Sequence, residues 1–292
     1  MKNIIRIGTR KSRLALAQTE IVANALKLNH PNLDVQLIPM STIGDQILDK
    51  PLESFGGKGA FVSEFEEAML SGKIDVAVHS AKDMPILLPA GLSILGVSKR
   101  EDVRDVIITR KGSKSQLTES TIVGTSSLRR QLQIKEQYGV EVKNLRGNVN
   151  TRLAKLQAGE YDAIILAAAG LKRLDIMGAD EYQFNYLEPD VFIPAAGQGI
   201  IAVEGRDEPK LRELFSKWNH TESGYSLETE REVLKLVNAG CNEPIGAYTT
   251  IKEDTINLSI LYWDNKILRV QGTAKLQDRL ELAKELVNRL KA

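Results

Sequence analysis

Apolar residues in the first two-thirds of the chain occur in short continuous runs that alternate with runs of helical spacing. Asn3–Ile7 and Val35–Met40 are predicted to be strands, and the segment between them has the apolar spacing of a helix. Farther along, Phe61–Leu70 is predicted to be a helix and Ile74–Val78 a third strand. Such β-α-β alternation predicts a parallel sheet with helices on both faces.

Two stretches of this pattern recur in the middle of the chain. Ile7–Thr9, which leads into a helix, is matched by Val123–Thr125, and Leu70–Ala77 is matched by Gln157–Ile164. Because the matches occur in the same order but at different spacing, we expect two α/β domains of shared architecture.

A different pattern begins near residue 218. Leu227–Val237 is predicted to be a helix capped by Ser226, three strand-like runs follow, and Arg279–Leu290 is predicted to be the terminal helix. Strands at hairpin spacing predict a small α+β domain with an antiparallel sheet. With crossings at Lys99–Asp102 and Pro189–Pro194, the predicted domains are residues 1–98 with 196–216, residues 102–193, and residues 219–292.

Charge and composition exclude several classes of function. The 39 Lys and Arg residues nearly cancel the 38 Asp and Glu residues, so a general attraction to nucleic acid or to an anionic membrane is not expected. No apolar stretch approaches the roughly 20 residues that span a bilayer, and the N-terminus does not resemble a signal peptide. One cysteine and three dispersed histidines argue against a disulfide or a metal site. These features predict a reduced, cytoplasmic protein.

Arginines cluster where predicted strands end. Helix N-termini at the same turns offer free N–H groups, and the guanidinium group pairs in a bidentate way with carboxylate or phosphate. Because strands of a parallel sheet end at one edge, we expect a cleft lined by both domains that binds a polyanion. The arginines concerned are Arg10, Arg129, Arg130, Arg146, Arg152 and Arg173.

The segment His79–Pro85 follows the third strand and is predicted to be a loop, since Pro85 disfavours a helical residue before it. Asp83 among so many cations either balances charge in a salt bridge or stabilises positive charge on a substrate, and the sequence leaves both interpretations open. His79 is interpreted as a structural histidine.

Two glycine-containing segments complete the set of candidates. Gly56–Gly59 lacks the spacing of a nucleotide-binding loop and is interpreted as a loop over the cleft. Cys241 lies between glycine and proline residues, so it is predicted to be in a loop. With no histidine near it in sequence, covalent anchoring is a better interpretation of its chemistry than a protease-like pair.

These residues together resemble the porphobilinogen deaminase family. The resemblance runs in family order across essentially the whole chain. The matching stretches are Ile7–Arg10, Gly56–Phe61, His79–Asp83, Arg100–Asp102 with Arg104-Asp105, Val123–Arg130, Leu145–Arg152, Ala168–Leu174, Ala195–Gly199, Gly240–Cys241 and Pro244–Gly246.

The resemblance implies two lobes like those of type II periplasmic binding proteins and a third, small α+β domain that carries the cysteine. It implies a dipyrromethane cofactor joined by a thioether to Cys241. The substrate would be porphobilinogen, of which four molecules are joined with release of ammonia to give hydroxymethylbilane for tetrapyrrole synthesis. A monomer is implied as well. The chain departs from the usual family pattern in two places, at Ser54-Phe55 before the glycine-rich loop and at Val103 in the first crossing.

The resemblance also implies roles for individual residues. Asp83, Arg10 and Lys82 would be catalytic, with Asp83 stabilising positive charge on the pyrrole nitrogens. The cofactor would be bound by Cys241, Ser80, Lys82, Asp83, Thr125, Ser127, Arg129, Arg130, Arg146 and Gly147. The substrate would be bound by Arg10, Gln18, Ser126, Arg152, Ala168, Arg173 and Gln198, with Lys58 and Phe61 in a loop at the active site.

Two other classes of function stay open from the residues alone. A two-lobed anion-binding module, such as a solute-binding protein or a sensor domain, would explain the arginines but gives Cys241 no use. Nucleic-acid binding through Arg129 and Arg130 is disfavoured by the near-neutral net charge.

Overall fold

The computed structural model describes residues 3–42, 62–113, 116–238 and 243–291. Strands in these ranges are β1 (Asn3–Arg10), β2 (Leu33–Met40), β3 (Val76–Ser80), β4 (Leu92–Val97), β5 (Asp105–Arg110), β6 (Ile122–Gly124), β7 (Glu141–Lys143), β8 (Ala163–Ala167), β9 (Tyr182–Leu187), β10 (Ile201–Arg206), β11 (Gly246–Lys252), β12 (Thr255–Asp264) and β13 (Lys266–Lys275). The α-helices are α1 (Arg13–Asn29), α2 (Ser63–Leu70), α3 (Leu128–Tyr138), α4 (Val149–Gln157), α5 (Ala168–Arg173), α6 (Pro209–Ser216), α7 (Thr221–Leu236) and α8 (Arg279–Lys291). None of these helices is both long and apolar enough to cross a membrane.

Two five-stranded sheets share one topology. Their strand orders are β2-β1-β3-β10-β4 and β7-β6-β8-β5-β9, and in each the fourth strand runs antiparallel to both of its neighbours. The predicted α/β class and the shared architecture are therefore confirmed, but the parallel arrangement expected from the β-α-β alternation does not extend to β10 and β5. A helix that connects two neighbouring strands of a sheet makes those strands parallel. Strands β10 and β5 are not connected to their sheet neighbours in this way, so they can run in the opposite direction.

The chain folds into two compact units, Met1–Glu101 with Ile200–Glu228, and Asp102–Gly199 with Thr229–Ala292. Each unit thus contains a segment that is distant in sequence from the rest of it. The three-stranded sheet β11-β12-β13 belongs to the second unit. The predicted division of the chain into three domains stays a prediction.

In the first unit, apolar side chains alternate along the strands and cover both faces of the sheet. Ile5, Ile7 and Val203 pack with α1 on one face, whereas Ala77 packs with α2 on the other. A Cβ atom at Gly8 would lie 2.5 Å from Cδ1 of Ile74 and 2.9 Å from the ring of Phe65, so a side chain here would displace both of them. The predicted βαβ core is thereby confirmed.

Strand β5 runs through the middle of the second unit's core. Val106 and Ile108 face one apolar cluster and Ile107 faces another, so the strand is buried on both sides. This double burial explains why its sequence is a continuous apolar run instead of an alternating one.

The C-terminal sheet is antiparallel, as predicted, but the helix before it begins earlier than predicted. Helix α7 starts at Thr221, which leaves Ser226 buried inside the helix instead of capping it. The imidazole Nδ1 of His220 accepts a hydrogen bond from the backbone N–H of Ser223 at 3.2 Å and takes the place of the expected hydroxyl cap. Sequence rules for caps favour Ser, Thr, Asp and Asn, so a histidine cap was missed.

Asp102, the first residue of the second unit, forms a multiple ion pair. Its carboxylate accepts hydrogen bonds from the backbone N–H of Arg104 and from Nε and Nη2 of the same guanidinium, at 3.1, 3.0 and 2.8 Å. The Nζ atom of Lys172 lies 3.4 Å from Oδ2. Hydrogen bonds from Arg104 outweigh burial and lower the pKa of Asp102 to about 2.

We expect Asp102→Asn to lower the free energy of unfolding by about 2 kcal/mol near neutral pH. The folded-state pKa lies below the unfolded value, so this stabilisation is present above the unfolded pKa and is lost as the pH falls toward the folded pKa of about 2. Urea unfolding at pH 7 and pH 3 measures it, and the difference between variant and wild type should fall to about half at pH 3. Asp207→Asn, which removes an exposed pair with Arg212, is the control. A difference for Asp102→Asn that does not change with pH would contradict this account.

Candidate active site

The first unit brings three predicted site residues to one sheet edge. Arg10 ends β1 and Ser80 ends the parallel strand β3, so both lie where these strands stop. From α1, the buried side chain of Gln18 donates a hydrogen bond from Nε2 to Ser80 Oγ at 2.9 Å. At the start of the same helix, Ser12 Oγ accepts from the N–H of Ala15. The edge therefore combines a helix N-terminus, a guanidinium group and two neutral polar groups.

Lys82 and Asp83 lie in a 3₁₀ turn, Ala81–Asp83, directly after β3. The turn is held by the buried residues at its two ends. The N–H of Ala81, its first residue, donates to Ile200 O at 2.9 Å, and Met84, which follows it, is 4 % exposed. Asp83 between them is exposed, and Lys82 is half-buried. The backbone thus fixes where the Asp83 carboxylate emerges while its side chain stays accessible to a ligand.

His79 belongs to β3 and not to the predicted loop. Its Nε2 atom lies 3.1 Å from Oε2 of Glu204, whose side chain is fully buried on β10. The ring also packs edge-to-face against Phe65, with centroids 5.5 Å apart. This burial agrees with the structural role expected for His79.

Hydroxyl groups of the second unit lie at the corresponding edge, after β6. Ser126 Oγ both donates to Leu145 O and accepts from Leu145 N, at 2.9 and 3.0 Å, and so ties two strand ends together. The buried Thr125 accepts from the N–H of Ser127, which is the N-cap of α3. The turn presents the N-terminus of α3 next to the arginines that follow.

Arg129 and Arg130, in the first turn of α3, converge on one buried carboxylate. Nη2 of Arg129 lies 2.8 Å from Asp105 Oδ2, and Nη2 of Arg130 lies 2.6 Å from Asp105 Oδ1. The Nη1 atom of Arg129 donates to Ile193 O at 2.8 Å, and the Nη1 atom of Arg130 donates to Ile165 O at 2.9 Å. Burial lowers the pKa of Arg129, Asp105 opposes this shift, and the neighbouring Arg130 adds to it. Because a guanidinium group stays charged in proteins, two positive charges here share one negative charge.

Gln198 joins the same cluster. Its Nε2 donates to Asp105 Oδ1 at 2.9 Å and to Val103 O at 2.7 Å. The preceding residue, Gly197, donates its N–H to Oε2 of the fully buried Glu230 at 2.7 Å. A predicted substrate-binding residue is therefore held by the carboxylate that also holds two predicted cofactor-binding arginines.

Arg146 and Arg152 lie around the start of α4. Gly147 between them has φ +113, and a Cβ atom there would lie 2.7 Å from the side chain of Thr151, so this turn requires glycine. Its carbonyl accepts from Nε of Arg152 at 2.8 Å, and Asn148 caps the helix. Arg146, Gly147 and Arg152 are thus brought together at the N-terminus of a helix.

The last two predicted site residues lie at the ends of α5. Arg173 ends this helix and donates from Nη2 to Gly199 O at 2.6 Å. Ala168 begins the helix, is fully buried, and donates its N–H to Arg104 O at 3.0 Å. Arg173 therefore follows β8 by one short helix and does not lie directly at the strand end as expected.

Three predicted site residues, Cys241, Lys58 and Phe61, lie outside the described residues. Within the described ranges, no group of three or more His, Cys, Asp or Glu side chains is arranged to hold a metal ion. The binding and catalytic roles of the individual residues stay predictions, as does the single cleft expected from both domains.

Neither Asp105 nor Glu230 was predicted from the sequence to have a role in the site. A signal for Asp105 was present, because an acidic residue opens the apolar run of β5 and a buried carboxylate requires a partner. For Glu230 there was no such signal, since α7 carries several acidic residues and only the fold shows which one is buried.

Comparison with known proteins identifies the family. Residues 5–213 match the family described as porphobilinogen deaminase, dipyromethane cofactor binding domain, and residues 225–292 match its C-terminal domain. The fold resembles the periplasmic VFT2 domain of Bordetella pertussis BvgS, with 16% identity, 78% of this chain and 93% of that chain covered, and a TM-score of 0.44. It also resembles the Escherichia coli aliphatic sulphonate binding protein SsuA, with 14% identity, coverage of 82% and 71%, and a TM-score of 0.43. Since the family matches span nearly the whole length, the chain belongs to the porphobilinogen deaminase family, which functions in tetrapyrrole biosynthesis with a dipyrromethane cofactor.

Proposed function

We propose that this chain is a hydroxymethylbilane synthase. It joins four porphobilinogen molecules head to tail, releases ammonia at each step, and hydrolyses the product from a dipyrromethane held on Cys241. We further propose that it works as a cytoplasmic monomer with no nucleic-acid partner. The family membership supports the reaction class.

The observation that carries this proposal is the charge imbalance around Asp105. Arg129 and Arg130 are 4 % and 6 % exposed, and within the described part of the chain a single carboxylate, that of Asp105, pairs with both. Burying a charge without a partner is costly, so a cluster with one excess positive charge is suited to a carboxylate ligand. Each pyrrole of the proposed chain carries an acetate and a propionate, which supply such groups.

The cofactor fits the residues present in the second unit. Two linked pyrroles carry four carboxylates, and Arg129, Arg130 and Arg146 with the N-terminus of α3 provide positive charge for them. Thr125, Ser127 and Gly147 would add hydrogen bonds. When bound, the cofactor supplies the terminal pyrrole ring to which the first substrate is joined.

The first unit would supply the groups that act on the substrate. Arg10 would hold its carboxylates and Gln18 would orient it through a hydrogen bond. Ser80 and Lys82 would contact the cofactor, and Lys82 would also take part in catalysis. Loss of ammonia leaves the substrate electron-poor, so positive charge passes through its pyrrole nitrogen. The Asp83 carboxylate, fixed in place by its turn, would stabilise that charge and accept the proton that ring substitution releases.

The test is the intact mass of the denatured protein, followed by peptide mapping around Cys241 and a turnover assay with porphobilinogen. We expect an adduct with the mass of two linked pyrroles, confined to the peptide that contains Cys241 and lost in Cys241→Ser. Consumption of porphobilinogen should depend on the adduct. An unmodified chain that stays unmodified after incubation with porphobilinogen would refute the proposal and favour a two-lobed anion-binding protein.

A further inference from the structure

Asp105 is a fully buried carboxylate at the start of the reversed strand β5. Its position is fixed by backbone pairing on both sides, opposite Ala167 of β8 and Leu187 of β9. Oδ1 accepts from Nε and Nη2 of Arg130 and from Nε2 of Gln198, while Oδ2 pairs with Arg129. One carboxylate on a rigid strand therefore contacts three side chains that the proposed function places at the ligands.

Consecutive residues of a helix do not point in one direction. Positions i and i+1 are separated by about 100° around the helix axis, so Arg129 and Arg130 would diverge without a common partner. Their like charges also repel each other inside the protein. Asp105 opposes both tendencies because its two oxygen atoms hold one guanidinium each, at 2.8 and 2.6 Å.

Asp105 also positions Gln198, a residue that is predicted to bind the substrate. It follows a turn in which its own N–H donates to Ala195 O, and its amide is shared between Asp105 and Val103. The side chain of Gln198 is fully buried, and these two acceptors help to fix its orientation.

We propose that Asp105 is a positioning residue that sets the geometry of Arg129, Arg130 and Gln198 for binding of the dipyrromethane and of the substrate. This inference rests on the proposed function. It predicts that loss of the Asp105 carboxylate impairs cofactor attachment and turnover beyond what its effect on stability explains.

The experiment compares Asp105→Asn with a matched variant, Asp75→Asn. Asp75 lies before β3 in the first unit, is largely buried, and also bridges two arginines, since it accepts from Arg6 and Arg206. None of these three residues belongs to the proposed site. Both substitutions remove a carboxylate that holds two guanidinium groups, so both should lower the melting temperature.

Two measurements distinguish a positioning role of Asp105 from an effect on the stability of the protein alone. The first is the fraction of purified chain that carries the pyrrole adduct, measured by intact mass, and the second is kcat and KM of the loaded fraction. For Asp105→Asn we expect a clear loss of adduct and a fall in kcat of about 10- to 100-fold, since displacement of about 1 Å can cost that much. For Asp75→Asn we expect both readouts to match the wild type.

Asp105→Glu provides a second variant if Asp105→Asn does not fold. It keeps the charge but moves the carboxylate by one methylene group, so we expect it to load its cofactor and still turn over at least about fivefold more slowly. Wild-type turnover in Asp105→Glu, or adduct content and kcat in Asp105→Asn equal to those of Asp75→Asn, would overturn the positioning role. This comparison requires that the wild-type chain carries the pyrrole adduct. A wild-type chain without the adduct would refute the proposed function and not the positioning role of Asp105.

Discussion

Asp83→Asn is expected to lower kcat by about 10²- to 10⁴-fold, the usual range for loss of a group that moves protons in the transition state. Asparagine has nearly the same size as aspartate but neither negative charge nor useful basicity. The turn that carries Asp83 is anchored by the buried residues Ala81 and Met84, so the substitution should leave the backbone in place. We therefore expect wild-type melting temperature and cofactor content together with very slow turnover.

The measurement is steady-state turnover of porphobilinogen, with intact mass and thermal unfolding on the same preparation. Asp190→Asn, which changes an exposed carboxylate of the second unit, is the matched control and should behave as the wild type. A near-normal kcat in Asp83→Asn would show that Asp83 is not catalytic. Its role would then be to balance the charge of the neighbouring cations.

Glu230→Ala is expected to lower the free energy of unfolding by about 3–5 kcal/mol. The fully buried carboxylate accepts three hydrogen bonds, from Gly197 N at 2.7 Å and from the N and Oγ1 atoms of Thr249, both at 2.8 Å. Alanine would leave two buried backbone N–H groups without this acceptor, at about 1–3 kcal/mol each, and would add a cavity. Chemical denaturation measures the loss.

The control for this substitution is Glu232→Ala, two residues along the same helix, where the carboxylate pairs only loosely with Lys235 at 3.5 Å. We expect a change below about 1 kcal/mol there. Hydrogen exchange gives the location of the effect, because faster exchange at Thr249 and Gly197 is expected in Glu230→Ala alone. Equal stability of the two alanine variants would show that the Glu230 hydrogen bonds contribute little.

The sequence pattern predicted those structural features that depend on residues close to one another in the chain. The β-α-β elements, the two matched halves and the antiparallel C-terminal sheet were all visible in the spacing of apolar positions and turns. The reversed strands β5 and β10 were not, because strand direction depends on a connection that returns from a distant part of the chain.

For the candidate site, the sequence indicated the cations better than their partners. Arg129 and Arg130 stand out because they follow a Ser-rich turn at a helix start, a pattern confined to a few residues. Asp105 lies 25 residues before Arg130 and on another element, so no spacing rule connects them. His79 shows the same limit, since its partner Glu204 comes from a strand made much later in the chain.

The discontinuous first unit has a consequence for the order in which the protein is made. Among the strands that the structure describes, β4 pairs only with β10, so it has no partner among them until residues 201–206 have left the ribosome. By then all five strands of the second unit's large sheet, which end at Leu187, have been synthesised. The sheet of the first unit therefore begins to be synthesised first but is completed second. Until then, β4 is an unpaired strand in the nascent chain. Such a strand is where chaperone binding or mispairing is expected during synthesis.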